Sequence, residues 1–380
     1  MASRLSISAG DLTKVYLSRL GKVWESMSAL GVDALVLSLG ADLPWLIGYK
    51  AMPLERLTAL VVRLHEQPVL VVPALEEPRV VPHGELFKVR PWREYEDPYE
   101  IVVSAIRGCT RVGMSDRMWA ASLLKFQLNC TANFIPASQV TRSLRSVKDP
   151  IEQAMLAEAA RRTDEVADAV IGGEIKFIGR SEREISMEIS ERLLDVGLNK
   201  VNFSIVGSGP NSASPHHEPG RRVIGESEAV VCDFGGEFQL DASAGYCSDI
   251  TRTVVTGEMP ERFIELYSVL EVAQRRQREH VRAGVSCEKL DEVGRSYIEQ
   301  FGYDEYFIHR TGHGIGIEEH EEPYIVAGNL DYVEPGNAFS IEPGIYIPNL
   351  YGARIEDIVI ATESGCDVLN NVDRSLHRVG

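Results

Sequence analysis

Residues 309–323 read HRTGHGIGIEEHEEP and place three histidines, three glycines and four glutamates in fifteen positions of a chain that has nine histidines in all. His309 and His313 are four apart and would share one face of a helix, as in two-histidine metal helices. The glycines argue against a helix, since each costs about 1 kcal/mol there relative to alanine. Alternating glycines instead let the backbone turn tightly and approach a ligand closely, so Thr311 to Gly316 is expected to be a tight loop. A dinucleotide fingerprint fits poorly, because the glycines fall as G-x-G-x-G with no clear strand before them and no apolar-periodic helix after them. A loop that presents His313 and a plain glycine-rich surface turn both remain open from this stretch alone.

Outward from it, 380 residues with 44% hydrophobic content suffice for a large core and about two domains. The formal net charge of −17 disfavours nucleic acid and anionic membranes as general partners and leaves carboxylates to serve cations. The N-terminal MASRLSISAGDLTKVYLSRL has no continuous apolar core, and no stretch reaches the roughly 18 apolar residues of a membrane span. A cytoplasmic location is the resulting expectation. Six cysteines (Cys109, Cys130, Cys232, Cys247, Cys287, Cys366) include no C-x-x-C pair, which points to reduced, mostly buried thiols rather than a zinc knuckle or disulfide scaffold.

The first part of the chain alternates helix-like and strand-like segments. LTKVYLSRLGKVWESMSALG repeats apolar residues at three-to-four spacing and stops at Gly31, after which VDALVLS, TALVVRL and PVLVVP are β-branched runs expected to share one sheet. EYEDPYEIVVSAIRG and DRMWAASLLKFQLN read as helices, and FIPAS as a short strand or connector. In SVKDPIEQAMLAEAARRTDEVADAV, Asp149 can cap a helix that starts at Pro150. The domain boundary is placed just before it, giving domains 1–147 and 148–380. Beyond that point, helices followed by a histidine loop and paired strands with carboxylates occur around 182–255 and again around 287–361, which hints at an internal duplication.

Four acids stand inside apolar runs: Asp233 in AVVCDFGG, Asp249 in GYCSDITRTVV, Glu342 in AFSIEPGIYI and Glu356 in ARIEDIVIAT. A buried, unpartnered carboxylate costs several kcal/mol or more, so such groups are paired, protonated or bound to a cation. Singly, each could be an outward-facing or salt-bridged acid. Converging with His313, they would hold two divalent cations about 3.5–4 Å apart, an arrangement that serves hydrolysis. Oxygen-rich ligation favours Mn²⁺, with Co²⁺ or Zn²⁺ as alternatives.

In order, PHH (215–217), DFG (233–235), SDITRT (248–253), TGHGIGIEEHEEP (311–323), SIEPGIY (340–346) and RIED (354–357) resemble the family of prolidase, aminopeptidase P and methionine aminopeptidase. The resemblance covers roughly 150–365 and implies the pita-bread fold, an internally duplicated α/β (α+β) structure with pseudo-two-fold symmetry and a dinuclear metal centre. ADLPWLIGYKA followed by TALVV resembles the creatinase-like α/β domain that precedes it in prolidase and aminopeptidase P. The resemblance implies Asp233, Asp249, His313, Glu342 and Glu356 as metal ligands, with Asp249 and Glu356 bridging and Glu342 also the general acid/base. It implies that His216, His309 and His320 bind the substrate carbonyl, shuttle protons and stabilise the tetrahedral intermediate, and that Tyr346 and Arg354 are further active-site residues. In a strand, Arg354 and Glu356 would share a face, so the arginine could orient the glutamate or meet substrate. His217 reads as a loop histidine, and His65, His83, His280 and His377 as surface or packing residues. Fifteen residues separate Asp233 from Asp249, a longer hairpin than the family pattern, with Asp241 inside it as a weaker competitor for the ligand role.

The resemblance further implies hydrolysis of Xaa-Pro bonds in small peptides with proline second, by a homodimer, with no nucleic-acid or membrane partner. The dipeptidase (prolidase) reading is favoured over an aminopeptidase acting on longer peptides. A metal-free creatinase-like hydrolase and a non-catalytic peptide-binding scaffold are the rivals from other classes, and retention of all five ligand positions speaks against both.

Overall fold

The computed structural model describes residues 8–240 and 244–380; Asp241 lies outside them. Contacts divide the chain between Arg145 and Ser146 into two units, two residues before the boundary expected from sequence. Among the described residues no helix is long and apolar enough to cross a membrane. All six cysteines are free, three of them buried and three half-buried.

In the first unit the β-branched runs become β1 (Ala34–Leu37), β2 (Ala59–Arg63) and β3 (Val69–Pro73), joined by β4 (Lys88–Trp92), β5 (Arg111–Met114) and β6 (Asn133–Pro136). They form one mixed sheet in the order β4-β3-β2-β1-β5-β6. Its helices are α1 (Ala9–Leu30), α2 (Asp42–Ile47), α3 (Pro98–Ala105), α4 (Ala120–Asn129) and α5 (Ser138–Ser146). The Ser8 side chain caps α1 by accepting the Asp11 amide, and Gly31 ends it in left-handed backbone at φ 64°, a conformation that glycine adopts without steric cost. FIPAS therefore contributes a true edge strand rather than a connector.

The second unit opens with α6 (Pro150–Ile171), where Asp149 accepts the Ile151 and Glu152 amides at 2.9 Å and Glu152 accepts the Asp149 amide at 3.0 Å. This reciprocal cap fixes the helix start at the proline. After α6 come α7 (Glu182–Asp195), β7 (Lys200–Ser208), β8 (Ala229–Phe238), β9 (Tyr246–Cys247) and β10 (Ile250–Val255). The same order then repeats: α8 (Glu261–His280) and α9 (Cys287–Glu299) lead to β11 (Gly312–Gly314), β12 (Glu321–Ile325), β13 (Ala338–Ile341), β14 (Gly344–Ile347), β15 (Tyr351–Arg354), β16 (Asp357–Ala361), β17 (Cys366–Val368) and β18 (His377–Arg378). One sheet runs β18-β10-β8-β7, the other β12-β11-β13-β16-β17. Each repeat offers two acids from an antiparallel pair, and the second acid of each stands one residue before its strand. Asp233 sits within β8 and Asp249 one residue before β10, while Glu342 follows β13 by one residue and Glu356 precedes β16 by one.

The stretch 311–316 departs from the expected tight loop: Gly312–Gly314 is a buried strand, bulged between His313 and Gly314. Its glycines serve close approach within the sheet. A Cβ on Gly312 would lie 1.8 Å from the Ser340 carbonyl oxygen, and one on Gly314 2.3 Å from that of Glu322. Gly312→Ala is accordingly expected to cost about 1–3 kcal/mol, read by chemical denaturation. An unchanged midpoint would show that β11 can move away from β13 freely.

Arg252 ties the two repeats together. It is 1% exposed and donates to the main-chain oxygens of Thr251, Glu356, Val372 and Asp373 and to Asp357 Oδ1 at 2.8 Å. Burial works against the Asp357 charge, but Arg252 and Arg374 overcome it and hold the carboxyl below its ordinary range.

Candidate metal centre

The register of the β7-β8-β10 sheet sets Ile205, Asp233 and Thr251 directly across from one another, so the three side chains share one face. Thr251 is the junction between the repeats: its Oγ1 donates to Glu356 Oε2 at 2.7 Å and accepts from Arg354 Nε at 3.0 Å. Arg354 ends β15 and Glu356 lies in the two-residue break before β16. They are therefore not neighbours on one strand face, contrary to the expectation from spacing. The arginine instead orients Asp233, donating to its Oδ2 at 2.7 Å, and reaches Glu356 through the threonine.

His313 stands on β11 with Nδ1 3.1 Å from the Gly314 oxygen. A carbonyl can only accept, so Nδ1 carries the hydrogen and the Nε2 lone pair is free. Nε2 faces Glu342 Oε1 at 3.2 Å and Asp249 Oδ2 at 3.8 Å. Ser340 holds the arrangement from behind, accepting the His313 amide and donating to Glu342 Oε1, both at 3.0 Å.

Ligand atoms of Asp249, His313 and Glu356 all lie within 4.8 Å of one another. Asp233 and Glu342 line the same cavity of about 470 Å³. One oxygen on each of Asp233, Asp249 and Glu356 is buried with no hydrogen-bond partner. Burial and mutual repulsion drive the Asp249 and Glu356 carboxyls well above their ordinary range, and burial pushes Glu342 up to about 7. Burial, helped by neighbouring His320, pulls His313 down to about 3, so its imidazole is neutral. Three orphaned carboxylate oxygens beside a free imidazole lone pair make a donor set that a divalent cation completes and no protein group satisfies.

His216, His309 and His320 line this cavity too, together with Arg354. Tyr346 is outside the lining, and its hydroxyl accepts from Arg354 Nη1 at 2.6 Å and meets His309 Nε2 at 2.9 Å. Because His309 Nδ1 donates to the Arg310 oxygen at 2.7 Å, Nε2 must accept from Tyr346. Both nitrogens of His309 are thus engaged within the protein, which fits a positioning role and not a proton shuttle. His320 differs: its Nδ1 accepts from Arg310 at 3.1 Å, which leaves Nε2 carrying the hydrogen. His217 turns away to Glu182, at 2.8 Å.

Several residues escaped the sequence reading. Phe203, Ile205, Pro215, Arg310 and Glu319 also line the cavity. Phe203 and Ile205 stand two apart on β7, and that alternation was a usable signal. Glu182 is wholly buried and anchors the segments on both sides of His216, accepting from Ser208, Asn211 and Gly220. Asp291 anchors Thr311 through its amide at 3.2 Å and hydroxyl at 2.9 Å.

Residues 154–363 match the metallopeptidase family M24 and residues 19–147 the creatinase/prolidase N-terminal domain. The probable dipeptidase PepE of Mycobacterium tuberculosis is 41% identical over 367 residues, 96% of each chain. The crystal structure of dipeptidase PepE from Mycobacterium ulcerans superposes with TM-score 0.88 at 39% identity, covering 97% of this chain and 98% of that one. Recombinant prolidase from Thermococcus sibiricus gives TM-score 0.89 at 34% identity, covering 99% and 100%. A family match over more than half the chain and a pita-bread fold with clustered acids lead to one conclusion: the chain belongs to metallopeptidase family M24 and carries a creatinase/prolidase N-terminal domain.

Proposed function

We propose that the protein is a dinuclear-metal Xaa-Pro dipeptidase. The observation that carries this reading is the set of three buried carboxylate oxygens without partners around the neutral His313. Asp233, Asp249, His313, Glu342 and Glu356 would hold two divalent cations. Manganese suits a site with four carboxylates and one imidazole. Such ions, when bound, supply Lewis-acid polarisation and a nucleophile available at neutral pH.

The chain's own groups supply the rest. Glu342, whose Oε1 is fixed by Ser340, takes up the proton of the attacking water and returns it to the leaving nitrogen. His320 Nε2–H is a donor for the oxygen on which negative charge develops. Phe203 and Ile205 give the cavity an apolar wall against which a proline ring can pack. Proline offers no N–H, so recognition rests on ring, carbonyl and chain ends. The M. tuberculosis relative named as a dipeptidase and the T. sibiricus prolidase support short substrates. A homodimer, as the family resemblance implies, belongs to the same proposal.

The test is release of proline from Ala-Pro by the manganese-loaded protein, before and after exhaustive chelation. Turnover should vanish with the metal and return on adding Mn²⁺, and Ala-Pro should be cleaved far faster than a longer Xaa-Pro peptide. Comparable turnover of the longer peptide would favour an aminopeptidase. Activity that survives complete metal removal would sink the dinuclear reading.

A further inference from the structure

Two arginines line the cavity, and their surroundings differ. Arg354 is 2% exposed and fully engaged, by Asp233, Tyr346, Thr251 and the Pro215 oxygen. Arg310 is half-buried, and among the described residues no carboxylate pairs with it. Its guanidinium lies over the Tyr324 ring, 4.4 Å from the centroid, and Nη2 lies 3.1 Å from His320 Nδ1. Stacking on tyrosine fixes the plane of the guanidinium while leaving most of its donors unused. Five acids line the same cavity: Asp233, Asp249, Glu319, Glu342 and Glu356. Four of these are the metal ligands of the reading above, which leaves Arg310, among the described residues, as the cation of the lining that is free to receive an anionic ligand end.

Position agrees with charge. The His313 and His320 rings lie 3.8 Å apart, centroid to centroid, and Arg310 borders His320 on its Nδ1 side. The unpaired guanidinium is thus one imidazole beyond the metal-facing histidine. In a dipeptide the terminal carboxylate is one residue beyond the scissile carbonyl, about 3.8 Å per Cα step. We propose that Arg310, braced by Tyr324 and His320, receives the C-terminal carboxylate of the substrate and so sets the preference for dipeptides over longer chains. A planar five-donor fork suits a bidentate carboxylate, and in a longer peptide the same position holds a neutral amide that cannot form that pair.

This assignment rests on the hydrolytic reading above, and the experiment separates the two. Manganese-loaded wild type is compared with Arg310→Met and Arg310→Lys on Ala-Pro and Ala-Pro-amide. In parallel, binding of the reduced-bond analogue of Ala-Pro, as free acid and as amide, is measured by calorimetry. Wild type should prefer the acid by about 10–100-fold, the range of a charge-assisted pair. Arg310→Met should erase that acid-over-amide factor, mainly in KM, on top of any fall in kcat common to both substrates that comes from releasing His320 Nδ1, and should bind the two analogues alike. Arg310→Lys should retain part of the preference, because it keeps the charge without the fork. Wild type that cleaves both substrates equally, Arg310→Met that keeps the acid preference, or equal loss on acid and amide would each overturn the assignment and leave the hydrolytic reading standing. Wild type that cleaves neither substrate would overturn the hydrolytic reading and this assignment with it.

Discussion

Glu342→Gln lowers kcat/KM for Ala-Pro by about 10²–10⁴-fold, the range of a positioned general acid/base. Glutamine keeps the shape of the side chain and can still accept from Ser340, whose Oγ lies 3.0 Å from Oε1. What it loses is the capacity to hold a proton. Without metal, burial pushes the Glu342 carboxyl up to about 7; a bound cation favours its deprotonated form, the form that can take up the proton of the attacking water. Asp249, His313 and Glu356, whose ligand atoms cluster within 4.8 Å of one another, are untouched by this substitution, so at least one equivalent of metal should remain by elemental analysis. Retained metal with collapsed kcat separates proton transfer from loss of the site. Activity within threefold of wild type would remove Glu342 from the chemistry.

The four acids that line one cavity were readable because they break a rule. An acid within a β-branched run is costly to bury, and Asp233, Asp249, Glu342 and Glu356 each stand in such a run. The glycines around His313 were equally visible, but their purpose was not. Nothing in the spacing says that Gly312 faces the Ser340 carbonyl, since that contact depends on how β11 pairs with β13. The Arg354 and Glu356 relation failed for a related reason: the chain leaves one strand pair and joins another between them, so alternation ends where the geometry matters.

Residues that act through main-chain atoms were the least legible. Glu182, Asp291 and Arg252 bond to backbone groups at Ser208, Thr311 and Val372, partners defined only by the folded path. Arg310 was passed over although it stands between two histidines that were noticed. A lone arginine in a sequence carries no sign of whether an acid will neutralise it, and that lack of a partner is what marks it in the structure.

Chelated protein should lose stability as pH rises from 6.5 to about 8. Two sets of groups oppose each other below that range. His309 and His313 are held down to about 3, against an ordinary 6.5, mainly by burial. Their folded pKa is depressed, so the unfolded chain takes up more protons below 6.5 and stability falls as pH drops from 6.5 towards 3. The Asp249, Glu342 and Glu356 carboxyls are raised by burial and by one another. Their folded pKa is elevated, so the native state keeps protons that the unfolded chain has released, and stability falls as pH climbs. Between about 4.5 and 6.5 the two slopes oppose each other. Above 6.5 the histidines are neutral in both states and only the carboxylates remain, each native-state proton costing about 1.4 kcal/mol per pH unit. The loss from 6.5 to 8 grows with every such proton the native state still holds. Mn²⁺ should reverse it, because a cation stabilises the deprotonated ligands that repel one another without it. The gap in Tm between loaded and chelated protein should therefore widen with pH, and calorimetry at several pH values reads it directly. A chelated Tm that stays flat above 6.5, or an equal slope in Asp249→Asn/Glu356→Gln, would show that these buried acids do not await a cation.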